Sequence, residues 1–270
     1  MKRPGQQLAL TALHACTAVL VVLPLLALLV QGFSVRHDDG AIEPSLAHVT
    51  QVISSSSYAA AFGNTLGVAV GATLIACAIG IGLGWIIVRT NVPAKRLLEQ
   101  LVVVPMFIPP FIGAFAWLLM AAPRIGILNL PFLRLGLDAP FDVYTRLGMM
   151  WVMGLYLAPY VFLIVSSALR NMDPTLEEAA QVSGLDRWRT ALVVTLPVMK
   201  PAILSGAILA FVISIGLFGT PVLLGMTNQI YLVTARIFLD LQQYPPQYGV
   251  IAILALYLML LALLANALQQ

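Results

Sequence analysis

The sequence predicts an all-α, polytopic membrane protein that crosses the bilayer with six transmembrane helices. Of its 270 residues, 60% are hydrophobic and only 9% are charged, whereas soluble domains carry roughly 25% charged residues. Several apolar runs reach the length of about 20 residues that a spanning helix needs. These runs are apolar on every side, unlike barrel strands, which alternate apolar and polar positions. Helices therefore satisfy the backbone hydrogen bonds of this chain in lipid.

The first span is predicted over residues 8–30, directly behind the basic pair Lys2 and Arg3. A basic start before an apolar run also describes a secretory signal, but this run is long for one and no small-residue cleavage site follows it. We therefore expect a retained helix. Residues 1–57 would comprise this helix and an outer loop, and residues 58–270 the core of the membrane protein.

The second and third spans, residues 59–88 and 97–121, carry different backbone signals. The second repeats a small residue at every fourth position, which lets another helix approach closely; these are Gly63, Gly67 and Gly71. The third contains prolines, which free carbonyls that neighbouring helices or a water-lined path must satisfy; these are Pro105, Pro109 and Pro110. A packing kink and a bend that lines a pathway both remain open for the third span.

Three further spans are predicted over residues 147–169, 201–224 and 248–268, with an amphipathic helix over 230–241. With the N-terminus inside, the inner loops receive most of the basic residues, all of the lysines among them. The positive-inside rule favours that orientation. Six spans then return the C-terminus to the cytoplasm.

The inner loop over residues 170–200 is the most informative stretch of the chain. Asp173 suits an N-cap, and Pro174 suits the first position of a short helix. Gly184 can supply the left-handed residue that ends this helix, and a second helix can begin at Asp186. The first helix carries a small apolar face, Leu176, Ala179 and Ala180, of a kind that fits a hydrophobic groove on a partner.

The spacing within this loop resembles the EAA loop of bacterial ABC importer permeases. Its matching residues are Glu178, Ala179, Ala180, Gly184, Val194, Leu196 and Pro197. The family pattern is E-A-A, three residues, G, nine residues, I, one residue, L-P, and the departure here is Val194 for isoleucine.

The resemblance implies the type I ABC importer permease (MetI-like) fold and its mechanism. The loop would be the coupling helix that docks in a groove of a cytoplasmic ATPase dimer, with Glu177, Glu178, Ala179, Ala180, Gly184, Leu196 and Pro197 as coupling residues. A periplasmic binding protein would deliver the solute, and a second permease half or an identical subunit would complete the pathway in the bacterial inner membrane.

Two other stretches are similar to ferric-iron permeases, some of which carry two six-span halves in one chain. One stretch runs from Pro105 to Trp117 and the other from Phe218 to Gly225. This similarity implies ferric iron as the solute and a chain equivalent to a first half. Phosphonate, thiamine and polyamine permeases share parts of both patterns and stay as alternatives.

The same stretches supply candidate pathway residues. These are Pro109 and Pro110 in the third span, and Phe218, Thr220 and Pro221 near the outer end of the fifth. We expect the last three to help form an outer gate, because a Gly-Pro-interrupted span end is typical of transport pathways.

The sequence lacks the machinery of an enzyme or a self-powered pump. No Gly-x-x-x-x-Gly-Lys-Ser/Thr motif occurs, so ATP would be used by another chain and no cofactor is expected on this one. No metal-ligand spacing and no basic stripe for nucleic acid are present. A secondary transporter or channel without an ATPase remains the competing class, and a membrane enzyme lacks a catalytic cluster.

Overall fold

The computed structural model describes residues 4–36 and 41–268, with side chains from position 12 onward. Lys2 and Arg3, used above to orient the chain, lie outside these residues. The helices are α1 (Pro4–Gly32), α2 (Ala47–Ser54), α3 (Ser56–Arg89), α4 (Lys95–Val103), α5 (Pro110–Ala121), α6 (Leu130–Arg134), α7 (Arg146–Asn171), α8 (Thr175–Val182), α9 (Arg187–Thr190), α10 (Leu196–Val198), α11 (Lys200–Gly216), α12 (Gly219–Gly225), α13 (Val233–Gln242) and α14 (Tyr248–Ala267). Two strands, β1 (Ser34–Arg36) and β2 (Ile42–Pro44), pair antiparallel.

The helical class predicted from composition is confirmed, but the count of six spans is not. Within residues 4–36 and 41–268, four helices are long and apolar enough to cross a membrane: α1, α3, α7 and α14. Three more candidate spans are pairs of helices with a sharp bend between them, α4 with α5, α9–α10 with α11, and α12 with α13.

The third predicted span is broken by 104° between Phe107 and Pro110. Ile108 (φ −93°, ψ 125°) and Pro109 (φ −53°, ψ 135°) both adopt extended backbone. Each of them precedes a proline, and a proline ring disfavours helical geometry in the residue before it. The two consecutive prolines therefore explain the break, which is far sharper than a kink.

The fifth predicted span, residues 201–224, is also not continuous. Helix α11 ends at Gly216, Leu217 is extended (φ −64°, ψ 129°), and α12 begins at Gly219. The carbonyl of Leu217 accepts a hydrogen bond from Thr234 Oγ1 at 2.9 Å, which satisfies a group that the break frees. Phe218, Thr220 and Pro221 thus follow a break and do not end a span.

Residues 61–235 and 261–270 form the larger of two compact units, whose core lies along α7. Helices α3 and α7 pack closely at Gly80 and Gly154. A Cβ at Gly80 would lie 2.8 Å from Ala158 O, and one at Gly154 would lie 2.7 Å from Ile75 Cβ. Of the predicted glycine stripe, Gly71 alone meets α7, whereas Gly63 and Gly67 face open space.

The smaller unit combines the described residues up to position 60 with residues 236–260. In this unit, Tyr58 Oη donates a hydrogen bond to Asp240 Oδ2 at 3.1 Å, and Arg236 Nε lies 3.5 Å from Asp240 Oδ1. The predicted division into residues 1–57 and 58–270 stays a prediction.

Candidate functional site: the coupling loop

Helix α8 of the loop begins one residue later than the sequence predicts. Pro174 occupies the cap position, and the helix proper starts at Thr175. Asp173 still serves the helix start, because its Oδ1 accepts a hydrogen bond from the Thr175 backbone N–H at 3.0 Å. This backbone bond holds the pKa of the Asp173 carboxyl below its usual value.

The end of α8 is formed by Gly184, as predicted. Its φ of +91° lies in the left-handed region, which residues with a Cβ rarely adopt. The Leu185 N–H donates to Ala180 O at 3.1 Å, and the Gly184 N–H donates to Gln181 O at 2.9 Å. This pair of bonds is the Schellman arrangement that closes the C-terminus of a helix.

Asp186 starts the second helix of the loop, which confirms that prediction. Its Oδ1 accepts a hydrogen bond from the Arg189 N–H at 2.7 Å. Helix α9 then passes into a single π turn over Ala191–Thr195, in which the Leu196 N–H donates to Ala191 O. Pro197 follows and has no N–H of its own, so the regular α-helical ladder cannot run unbroken through this point.

Glu177 connects the loop to two other segments of the chain. Its Oε2 lies 3.1 Å from Arg89 Nε at the end of α3, and its Oε1 accepts a hydrogen bond from Thr195 Oγ1 at 2.6 Å. The Glu177 and Arg89 side chains are only 16% and 18% exposed. A charge with so little solvent depends on its partner, so Glu177 holds α8 against both segments.

An aromatic pair makes a second connection between the same elements. Trp85 of α3 and Trp188 of α9 stack with ring centroids 5.4 Å apart and planes 23° from parallel. The two tryptophans also line an apolar pocket of about 260 Å³, together with Leu196 and Met199 among others. Leu196 lines this pocket and is also 42% exposed.

The opposite side of α8 is exposed. We define the coupling face as Leu176, Glu178, Ala179 and Val182, of which Leu176 is 45% and Val182 89% exposed. At roughly 100° per residue, these four positions occupy one continuous arc, with Glu177 across the helix. Ala180, predicted on the apolar face, is partly buried. Two adjacent glutamates thus have different surroundings, one inside and one on the surface.

Of the predicted pathway residues, Thr220 and Pro110 meet from distant parts of the chain. Thr220 Oγ1 is 3.4 Å from the Pro110 carbonyl oxygen, and a Cβ on Gly219 would come 3.0 Å from Phe111 Cβ. Thr220 and Pro221 are buried, whereas Phe218 is 45% exposed. At the break itself, Tyr156 Oη donates a hydrogen bond to the Ile108 carbonyl. The start of α12 is therefore packed on the start of α5.

Several residues that hold the loop in place carry no direct signal in the sequence. Arg89, Thr195 and Trp85 come together with Glu177 and Trp188 only through the fold. Arg89 belongs to the basic residues predicted on the inner side, but spacing alone cannot identify its partner. The stacking of two tryptophans about a hundred positions apart is equally invisible in a local pattern.

Apolar spans, broken helices and an exposed two-helix loop define a multi-pass membrane permease. Residues 76–270 match the family described as binding-protein-dependent transport system inner membrane component. The chain belongs to this family, and it is the permease subunit of an ABC importer that works with a binding protein and a separate ATPase. Membership excludes the competing class of secondary transporter or channel, and it establishes that the subunit itself is not an enzyme.

Individual relatives agree with this assignment. The chain is 28% identical to the sulfate transport system permease protein CysT of Escherichia coli (strain K12), over 99% of this chain and 93% of that protein. It is 30% identical to the molybdenum transport system permease protein ModB of the same strain, over 56% of this chain and 65% of that protein. In fold, it matches a bacterial ABC transporter that imports the acidic polysaccharide alginate, with a TM-score of 0.80, 19% identity, and coverage of 99% of this chain and 96% of that one.

These relatives correct the predicted solute. Ferric iron has no support among them, because they are permeases for sulfate and molybdenum. Phosphonate, thiamine and polyamine are not supported either. The ferric-iron similarity rested on the proline-rich stretch and the Phe218–Gly225 stretch. In this structure both stretches set backbone breaks and helix packing, which do not identify a cargo.

Proposed function

We propose that this permease conducts a tetrahedral oxyanion of the sulfate and molybdate class. The similarity to the sulfate permease, which extends over 99% of the chain, is the observation that supports this solute. The molybdenum permease supports the same chemical class, because sulfate and molybdate are both compact, doubly charged oxyanions.

Uptake measurements test this solute class. The assembled transporter, reconstituted in liposomes with its binding protein and ATPase, should take up radiolabelled sulfate or molybdate when ATP is supplied. Ferric citrate and spermidine serve as matched control solutes for the earlier alternatives. ATP-dependent uptake of a control solute, with none of either oxyanion, would contradict the proposal.

The coupling face is proposed to contact the ATPase, which binds and hydrolyses the ATP, while this chain binds no cofactor. The exposure of Leu176, Glu178, Ala179 and Val182 supports this role. Ala180 and Gly184 shape the helix, and Glu177 holds it in place. Leu196 and Pro197 are exposed and stay candidate coupling residues. A second permease half, or an identical subunit, is proposed to complete the pathway.

Cysteine crosslinking tests the ATPase contact. A short crosslinker on Ala179→Cys should capture the ATPase, and Glu178→Arg should reduce the capture. The control is Leu135→Cys, which is 76% exposed. Leu135 lies before the start of α7, whereas α8 lies after its end. The 26 residues of α7 separate the two positions by about 39 Å at roughly 1.5 Å per residue. Equal capture at both positions would contradict the proposed docking.

A further inference from the structure

Helices α4 and α7 line an open cavity of about 670 Å³ in the larger unit, and Phe107 at its edge is 83% exposed. The helices run antiparallel here, because Glu99 pairs with Arg170 while Ile108 is bonded to Tyr156. Helix α4 contributes Arg96, Glu99 and Gln100 to the lining. Helix α7 contributes Ser166, Ser167 and Arg170, at the three- and four-residue spacing of one helix face.

The cavity has an apolar end and a charged end. Phe107 and Phe162 line the end nearer the break, and Arg96, Glu99 and Arg170 line the end nearer the coupling loop. Arg170 Nη2 lies 2.7 Å from Glu99 Oε1, at the charged end. Two arginines and one glutamate leave one excess positive charge there.

We propose that this cavity is a weak oxyanion site on the transport route. The proposal rests on the oxyanion solute inferred above. The Ser167 hydroxyl and the Gln100 amide offer hydrogen-bond donors, and the two arginines offer charge. Ser166, which is 4% exposed, forms the wall, with its hydroxyl 3.3 Å from the Leu163 carbonyl oxygen.

Cavity size and the ion pair both keep the binding weak. The volume of about 670 Å³ corresponds to on the order of twenty water molecules at roughly 30 Å³ each, so an oxyanion keeps most of its hydration. Glu99 occupies Arg170 and halves the charge that the two arginines would present. A transport route needs this balance, because a site that binds tightly does not release its ion.

Charged thiol reagents can measure the potential in this cavity directly. Cys16 and Cys77, the free cysteines, are first replaced by serine, and Ser167→Cys is introduced into the assembled transporter. The measured quantity is the reaction rate of an anionic methanethiosulfonate divided by the rate of a cationic one. This ratio should be higher at Ser167→Cys than at Tyr244→Cys. The control position is 99% exposed and has uncharged neighbours in the sequence.

Two charge variants give opposite expectations. Glu99→Gln should raise the anion-to-cation rate ratio at Ser167→Cys, and Arg170→Gln should lower it. Each change in the ratio is about tenfold, because a unit charge roughly 6 Å away in water-like surroundings changes the rate of each reagent about threefold, in opposite directions. Arg96→Gln should lower the ratio as well, without removing the Glu99 partner. Sulfate or molybdate should also slow the anionic reagent more than chloride does at equal ionic strength.

The experiments distinguish an error in the proposed anion site from an error in the proposed oxyanion solute. Any one of three results would overturn the site, even if oxyanion uptake is normal. The rate ratio at Ser167→Cys could equal that at Tyr244→Cys, the charge variants could all shift the ratio in the same direction, or neither oxyanion could protect the cysteine. Absence of sulfate and molybdate uptake, with the opposite shifts and the protection intact, would overturn the solute assignment and leave an anion-binding cavity.

Discussion

The coupling loop and the broken third span differ in how their geometry is determined. In the loop, Asp173, Gly184 and Asp186 each form backbone hydrogen bonds within four residues, so the chain turns as its local sequence dictates. In the third span, the prolines determine only that the helix breaks. The 104° angle depends also on partners such as Tyr156 and Thr220, which lie far along the chain. Helix caps can therefore be predicted from the local sequence, whereas the direction that a helix takes after a break cannot.

Glu177 and Glu178 provide the strongest test, because they are adjacent in α8 but Glu177 is largely buried whereas Glu178 is exposed. Replacing Glu177 with leucine leaves the Arg89 guanidinium, 18% exposed, without its carboxylate. We expect a loss of about 2 kcal/mol in the free energy of unfolding, below the range for fully buried pairs because some solvent contact remains. Denaturant or thermal unfolding of the purified protein measures the loss.

Glu178→Leu is the matched control for this prediction. Its side chain is exposed, so the free energy of unfolding should change by no more than about 0.5 kcal/mol. Adding Arg89→Leu to Glu177→Leu should recover part of the lost stability, since no unpaired charge remains. If both single variants are equally destabilised, the inside and outside roles assigned to the two glutamates are wrong.

Gly184 tests whether the turn after α8 depends on backbone conformation. Gly184→Ala places a Cβ at φ +91° in open space, so the cost comes from the backbone and should be about 1 kcal/mol in the free energy of unfolding. Gly136→Ala, at φ +74° and also in open space, should cost a similar amount. Only Gly184→Ala should reduce crosslinking to the ATPase, and an equal reduction in both variants would contradict a local role.

The prolines of the third span allow a direct measurement of the break. Spin labels at Leu101 and Leu119, which are 55% and 46% exposed, report the separation of α4 and α5. In a Pro109→Ala, Pro110→Ala variant, the separation should increase toward about 27 Å, the length of 18 helical residues at roughly 1.5 Å each. A label pair at Leu147 and Leu163 on α7 should stay unchanged. An unchanged first distance would show that packing against α12 sets the bend without the prolines.

The smallest expected effect comes from Asp173 and is a change of protein stability with pH. The folded-state pKa of its carboxyl lies below the unfolded value of about 3.9, chiefly because of the backbone bond from Thr175. A lowered pKa stabilises the fold above the unfolded value, and this contribution is lost as pH falls through the folded-state value. The difference in unfolding midpoint between wild type and Asp173→Ala should be constant from pH 5 to 8 and narrow below about pH 4. A difference that does not change with pH would contradict this role.

Features of the fold that depend on neighbouring residues were predicted from the sequence, whereas features that depend on distant segments were not. The all-helical class, the turn at Gly184 and the helix start at Asp186 depend on composition and on neighbours within a few residues. The break at Leu217 was missed, although glycines flank it, because its carbonyl is satisfied by Thr234 from a later segment. The ion pair of Glu177 with Arg89 and the stacking of Trp85 on Trp188 also needed the fold. The cargo was misassigned because proline and glycine patterns report backbone geometry, while a solute is recognised by charge and hydrogen bonding.

Helix α3 gives these contacts a mechanical consequence. Its 34 residues measure about 51 Å at roughly 1.5 Å each, against a hydrocarbon thickness of about 30 Å. Even at a tilt of about 40°, the steep end of the observed range, the helix rises about 39 Å along the bilayer normal and protrudes. A charged Arg89 is costly in hydrocarbon, so the terminus that holds Glu177 lies in the aqueous boundary. A lateral push at this terminus therefore exerts a torque on α3 about its close contact with α7 at Gly80.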